Sequence, residues 1–220
     1  MFIGHFALGF AAKKVDPGPS LGTYFLAAQL ADTLWPVLLL AGVERVTIAP
    51  GDTPFTPLRF DSYPVSHGLL TLALWGAALG GLHWARKRQA RAALLLGLLV
   101  LSHWVLDYAT HRPDMPLLPW SSRVVGLGLW YSVPATLAVE VAMFAAGVWL
   151  YLGSTRARDR VGRHGTAALV GFLVIIYFAN VFGPPPPSVA AIAWAGLLGA
   201  AVILGWAVWV DRHRRERSTG

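Results

Sequence analysis

The 220-residue chain contains no cysteine. Disulfides and thiolate metal sites are therefore excluded. Charge is scarce as well. Charged residues make up 13% of the chain, where soluble domains carry about 25%. Acids are the scarcer sign: 11 Asp and Glu stand against 18 Lys and Arg, for a net charge of +7. There is no low-complexity tract and no polar stretch long enough to make a soluble domain. What fills the chain instead is apolar, at 55% hydrophobic residues and a mean hydropathy of +0.54. This composition points to an integral membrane protein.

A helix needs about 20 mostly apolar residues to cross the hydrocarbon core. Six stretches qualify, near 21–43, 65–85, 91–110, 126–152, 166–183 and 188–210. The predicted fold is an all-α, polytopic transmembrane bundle of about six spanning helices. The opening stretch "MFIGHFALGFAAKK" carries its positive charges after the apolar run and includes a histidine. It reads as part of the mature fold rather than as a cleaved signal peptide. Its first 12 residues are too short to span and suit a half-helix embedded among other helices. Residues 44–63 hold Pro50, Pro54 and Pro57 with mixed charges, and could fold over a mouth as a lid. "FGPPPPS" (182–188) is a stiff turn. The whole is one membrane domain. Residues 1–125 carry the polar residues, and residues 126–220 add further helices and a basic tail.

The cations are distributed unevenly. Fourteen of them, among them Lys13, Arg86, Arg158 and Arg214, fall on one side of the predicted bundle. Only Arg45, Arg59, Arg112 and Arg123 fall on the other. By the positive-inside rule the C-terminus is cytoplasmic, and loops 44–63 and 111–125 face outward. The basic residues suit anionic lipid headgroups. No folded basic surface or base-stacking platform for nucleic acid is visible. Tryptophans near the span ends, such as Trp84, Trp149 and Trp209, fit interfacial belts.

Ionisable residues inside a span are expensive and are functional candidates by default. Asp32, His67, His103, Asp107 and Glu140 stand out, with His5 if its segment is embedded. At the helical rise, His5, Asp32, His67, His103 and Asp107 sit about 12 to 28 Å above the cytoplasmic end. A cavity opening outward would collect all five. His103, Asp107 and His111 recur every four residues and share one helix face. Imidazole with carboxylate suits Zn²⁺ first, with Mn²⁺ or Fe²⁺ as alternatives. The plainer alternative is that these groups only bond one another and lock helices together. His111 is a ligand or a rim residue. Glu140 is protonated, bonded to a second helix, or orienting a ligand. Asp114 shapes the turn "HRPDMP", and Asp61 has no evident partner. His83, His164 and His213 sit beside arginines and read as solvated.

These residues fall into a pattern: "GHFALG" (His5), "LADTLWP" (Asp32), "VSHGLL" (His67) and "LSHWVLDYATHRPDMPLLPW" (His103, Asp107, Thr110). Over residues 1–120 the chain resembles the YdjM-type family of bacterial inner-membrane proteins, described as membrane-bound metal-dependent hydrolases. Two departures are visible. The family's aspartate motif usually carries two acids, and this chain has only Asp32. The histidine usually follows an arginine-glycine pair, and here the lead-in is "DSYPVSHG". A second resemblance, to lipid phosphatases of the PAP2 type, covers "PVSH" and "H-x3-D". It lacks the cations that a phosphohistidine mechanism needs.

The resemblance implies a hydrolase with a divalent metal held by His5, Asp32, His67, His103 and Asp107. His67 and Asp107 would be the catalytic residues, with His67 either a further ligand or the general acid/base. A lipid-bounded site favours an amphiphilic substrate, such as a lipid-like or lipid-linked ester or phosphoester. The implied location is the bacterial inner membrane. The rival classes are a transporter for a metal ion or protons, and a structural membrane protein. Oligomeric state is not legible.

Overall fold

The structure, a computed structural model, describes residues 1–217. It is mostly helical. Helix α1 (Ile3–Val15) is followed by α2 (Leu21–Ala28) and α3 (Leu30–Leu40), then by a hairpin of β1 (Arg45–Ile48) and β2 (Leu58–Ser62). A single turn, α4 (Pro64–His67), leads into α5 (Leu69–Lys87) and α6 (Ala90–Thr110). After the short pair β3 (Met115–Pro116) and β4 (Val124–Val125) come α7 (Val133–Ser154), β5 (Thr155–Ala157), α8 (Thr166–Phe182), α9 (Val189–Arg212) and β6 (Arg214–Glu216). Each strand pair is a two-stranded antiparallel ladder. The all-α expectation therefore omitted three small ladders, all outside the long helices.

Four helical stretches are long and apolar enough to cross a membrane: Ala90–Thr110, Val133–Ser154, Val161–Phe182 and Val189–Arg212. A fifth is the pair α2 and α3, bent by 58° at Gln29. By length and composition, four or five stretches among the described residues qualify, where about six were expected. The stretch that drops out is α5, whose last turns carry His83, Arg86 and Lys87 and so dilute its apolar character.

The expected embedded N-terminal helix is α1. It packs against α2, α6, α7 and α8, and most of its residues are buried. Its approach to α7 is close because Gly147 has no side chain. A Cβ there would run into the backbone of Ala7. A similar absence lets α5 meet α6 at Gly76 and Gly97. Two apolar clusters fill the bundle. One joins α2, α3, α5, α6 and the hairpin, and the other joins α1, α2, α7, α8 and α9. Helix α1 is also tied at both ends. Glu140 on α7 accepts from the backbone N–H of Phe2 and Gly4. Lys13 donates to Asp211 on α9 at 3.0 Å. The Glu140 bonds satisfy amide groups that a helix start leaves open.

Candidate metal centre

The break at Gln29 places Asp32 in the first turn of α3 and leaves the Ala28 carbonyl at the end of α2. His103 on α6 donates from Nδ1 to that carbonyl at 2.8 Å. A carbonyl only accepts, so Nδ1 carries a proton. The ring's Nε2 is buried and lacks a hydrogen-bond partner among the described residues. It lies 3.1 Å from Asp107 Oδ2 and 3.7 Å from Asp32 Oδ1.

His67 repeats the arrangement. Its Nδ1 is 2.7 Å from Ser66 Oγ, which is 2.6 Å from Glu44 Oε2. The carboxylate takes the hydroxyl proton, so Ser66 Oγ accepts from His67 Nδ1–H. His67 Nε2 lies 3.4 Å from Asp32 Oδ1 and 3.8 Å from Asp107 Oδ2. Glu44 Oε1 also accepts from the backbone N–H of Val65 and Ser66, which fixes the turn α4.

His111 is the third case. Its Nδ1 faces Asp114 Oδ1 at 3.0 Å, and Nε2 lies 4.0 Å from Asp107 Oδ2. Burial holds this histidine below its ordinary range, and the bond to Asp114 only partly offsets that. Burial would raise the Asp114 carboxyl. Hydrogen bonds from His111, Tyr63 and Arg112 outweigh it and hold Asp114 below the usual carboxylate range.

Three imidazoles thus have Nδ1 committed to an acceptor and Nε2 turned toward Asp107. In metal sites this outer hydrogen bond sets the tautomer and orients the ring. The donor spacing can be tested. Two donors about 2.1 Å from one tetrahedral ion stand about 3.4 Å apart. The four separations that link His67 and His103 to Asp32 and Asp107 run from 3.1 to 3.8 Å. With the rings neutral, a cation between these nitrogens and the carboxylate oxygens would satisfy both. The residues present therefore fit a divalent ion. Two trios bring ligand atoms within 4.8 Å of one another: His5, His103 and Asp107, and Asp32, His67 and His103. His103 belongs to both.

His5 approaches from the other side. Its ring stacks on His103 at 3.7 Å, and Nε2 lies 3.0 Å from Asp107 Oδ1. The Met1 amino group also contacts Asp107 Oδ1. All five ligand residues expected from the sequence are therefore brought together. Asp32 is the accessible one, with its side chain 38% exposed, while His67 and Asp107 are at 4% and 3%. The turn α4 buries His67 against Trp35 and Tyr63.

The other candidates lie elsewhere. Glu140 caps α1. His213 pairs with Asp159 at 2.6 Å, and His83 faces Gln89. Asp61 accepts from Thr47 across the hairpin and from Arg59 on its own strand. Sequence reasoning missed Glu44, Ser66, Tyr63 and the orienting role of Asp114. Only Ser66 had a local signal, its place beside His67.

A cavity of about 650 Å³ adjoins the cluster. Asp32, His67, Asp107 and His111 lie in its wall. The hairpin roofs it. Phe55 stacks on Trp130 at 6.1 Å, and Arg112 holds Asp52 at 2.8 Å.

The family model described as YdjM inner membrane protein matches residues 53–184. The chain belongs to this family. With several apolar helices, it is a multi-pass membrane protein. No curated protein and no solved structure matches it. The YdjM match takes in His67, His103, Asp107, His111 and Asp114. His5, Asp32 and Glu44 lie outside it, yet the fold carries all three to the same cluster. The motif order read over residues 1–120 and the matched segment therefore overlap only in part.

Proposed function

We propose that the chain is a membrane-bound, metal-dependent hydrolase whose His/Asp cluster holds a divalent ion, zinc before manganese or iron. The observation that carries this reading is the convergence of His67, His103 and His111, each with Nδ1 tied and Nε2 turned inward, on Asp107. His67, His103, Asp32 and Asp107 would hold the ion, with His5 bracing Asp107 or joining the set. A bound divalent ion lowers the pKa of a coordinated water and polarises a carbonyl or phosphoryl oxygen. The protein's own part is to place and move protons. His111 lines the cavity with Asp114 behind its Nδ1, a pairing that steadies an imidazole while it gains or loses a proton at Nε2. We assign His111 to that role and His67 to the ion. The substrate is a lipid-like or lipid-linked ester or phosphoester.

Metal analysis of protein purified without chelator or affinity metal tests the reading. His103→Ala with Asp107→Ala is expected to lose stoichiometric metal, and His83→Ala with His164→Ala to retain it. Equal metal in both would remove the reading. His67→Ala should lower metal occupancy. His111→Ala should keep the metal and lose release of water-soluble product from a bacterial lipid extract. Transport is the second class. It gains no support from Glu140, whose Oε2 is taken by two backbone amides. Asp32-dependent movement of Zn²⁺ or protons through liposomes, with no lipid cleaved, would put transport in its place.

We also take α5 as a sixth crossing, laid antiparallel on α6, with Leu74 and Leu82 exposed as lipid-facing residues would be. On the cation distribution, the C-terminus is cytoplasmic and the cavity lies toward the outer face.

A further inference from the structure

The cavity beside the cluster extends well past it. It runs between α3, α8 and α9, and its far wall is small: Gly196, Gly199 and Ala200 line it on α9. At the same level Ala179 and Asn180 on α8 and Ala195 on α9 line it and are exposed on the helix surface. The cavity therefore opens sideways, between two helices apolar enough to span a membrane, and onto the surface that lipid would cover. Its size is within the range of about 300–1,000 Å³ that ligand sites occupy.

The wall also carries unspent polar groups. Trp35, Trp130 and Tyr177 line the cavity and are 8%, 7% and 1% exposed. Trp35 Nε1, Trp130 Nε1 and the Tyr177 hydroxyl have no hydrogen-bond partner among the described residues. Gln29 Oε1, also in the wall, is an unpartnered acceptor. Buried donors without partners are costly, and three around one cavity call for a ligand with acceptor oxygens. Among the described residues, no lysine or arginine lines the cavity, and the Met1 amino group in its wall is paired with Asp107. Neutral donors suit an ester or a singly charged phosphodiester. A doubly charged phosphomonoester would need cations to offset its burial.

We propose that this cavity is the binding site for a membrane glycerophospholipid. Its acyl chain enters between α8 and α9 along Gly196, Gly199 and Ala200. Its ester or phosphodiester oxygens accept from Trp35, Trp130 and Tyr177. The inference rests on the hydrolytic reading for one point only, that the linkage so held faces the His/Asp cluster.

The test separates binding from turnover. Purified protein, stripped of metal with chelator, is placed in vesicles containing phosphatidylglycerol with a diazirine in its acyl chain. After illumination, labelled peptides are mapped. Labels are expected on the cavity faces of α8 and α9. Gly199→Trp should abolish them, and Gly205→Trp should not. Both glycines have open space beside them, but only Gly199 lines the cavity. Tyr177→Phe removes a hydroxyl with no protein partner, so thermal stability should hold while labelling falls about three- to tenfold. Phosphatidic acid with the same chain should label less. Labelling that is unchanged in Gly199→Trp, or confined to the lipid-facing surfaces, would overturn the site. Labelling equal to or stronger than that of phosphatidylglycerol from phosphatidic acid would overturn the headgroup assignment. Cavity labelling without product release in metal-loaded protein supports the binding site and removes the hydrolytic reading.

Discussion

Asp107 shows how a single residue gathers a site. One oxygen faces His5 and the other faces His67, His103 and His111. Such a carboxylate is positioned by its neighbours as much as it positions them, and Ser66 is the most telling of the residues behind them. Its hydroxyl gives its proton to Glu44 and accepts from His67, so it holds a proton on Nδ1 and turns Nε2 toward the carboxylates. Losing an outer partner of this kind typically costs about 10–100-fold in metal affinity. Ser66→Ala is expected to weaken metal binding by that amount, read by competition with a fluorescent chelator. Asp61→Ala, on the exposed hairpin, should leave it unchanged. The residues of the cluster were legible in the sequence because an ionisable residue is costly in an apolar run and stands out there. Glu44, Tyr63 and Asp114 were not, because their roles exist only once the loops fold back over the helices. A lone acid in "AGVERV" looks the same whether it is solvated or buried.

Elements explain how the ligands meet. The spans were legible from length and apolarity, but the break at Gln29 was not. The only proline in that stretch is Pro36, inside α3 and two turns away from the bend. The break matters, since it releases the Ala28 carbonyl to His103 and starts α3 just before Asp32. Two devices at this scale can be probed. Glu140 is fully buried and accepts two amides at the start of α1. Leaving them unpaired costs about 1–3 kcal/mol each. Glu140→Ala should therefore lower the unfolding temperature in detergent clearly, and Glu140→Gln should lower it less, because one amide oxygen can still accept. The hairpin is held differently. The Arg112–Asp52 pair is partly exposed, and such pairs contribute about 0–1 kcal/mol. Asp52→Ala should leave global stability nearly unchanged while amide exchange across residues 45–62 quickens. Slowed or unchanged exchange there would mean that aromatic packing on Phe55 and Phe60 holds the roof without the ion pair.

At the scale of the whole molecule, the charge asymmetry and the site's position make one joint statement. The hairpin, His111, Asp114 and the four sparse cations lie toward one end of the bundle. The dense basic segments, including the β5 and β6 ladder with Arg156 and Arg215, lie toward the other. Cytoplasmic loops retain Lys and Arg because moving them across the bilayer is unfavourable. If that rule governs this chain, the roofed cavity opens in the outer leaflet and the substrate is a lipid of that leaflet. The absence of cysteine makes the test clean, because any introduced thiol is the only one. Ser122 is exposed in the loop between β3 and β4, and Lys87 is exposed between α5 and α6. Ser122→Cys should react with an impermeant maleimide added to intact cells. Lys87→Cys should react only after lysis. The reverse pattern would put the C-terminus outside and the cavity in the inner leaflet, leaving the geometry of the cluster intact. Labelling of both residues in intact cells would mean that α6 does not cross, since Lys87 precedes that helix and Ser122 follows it.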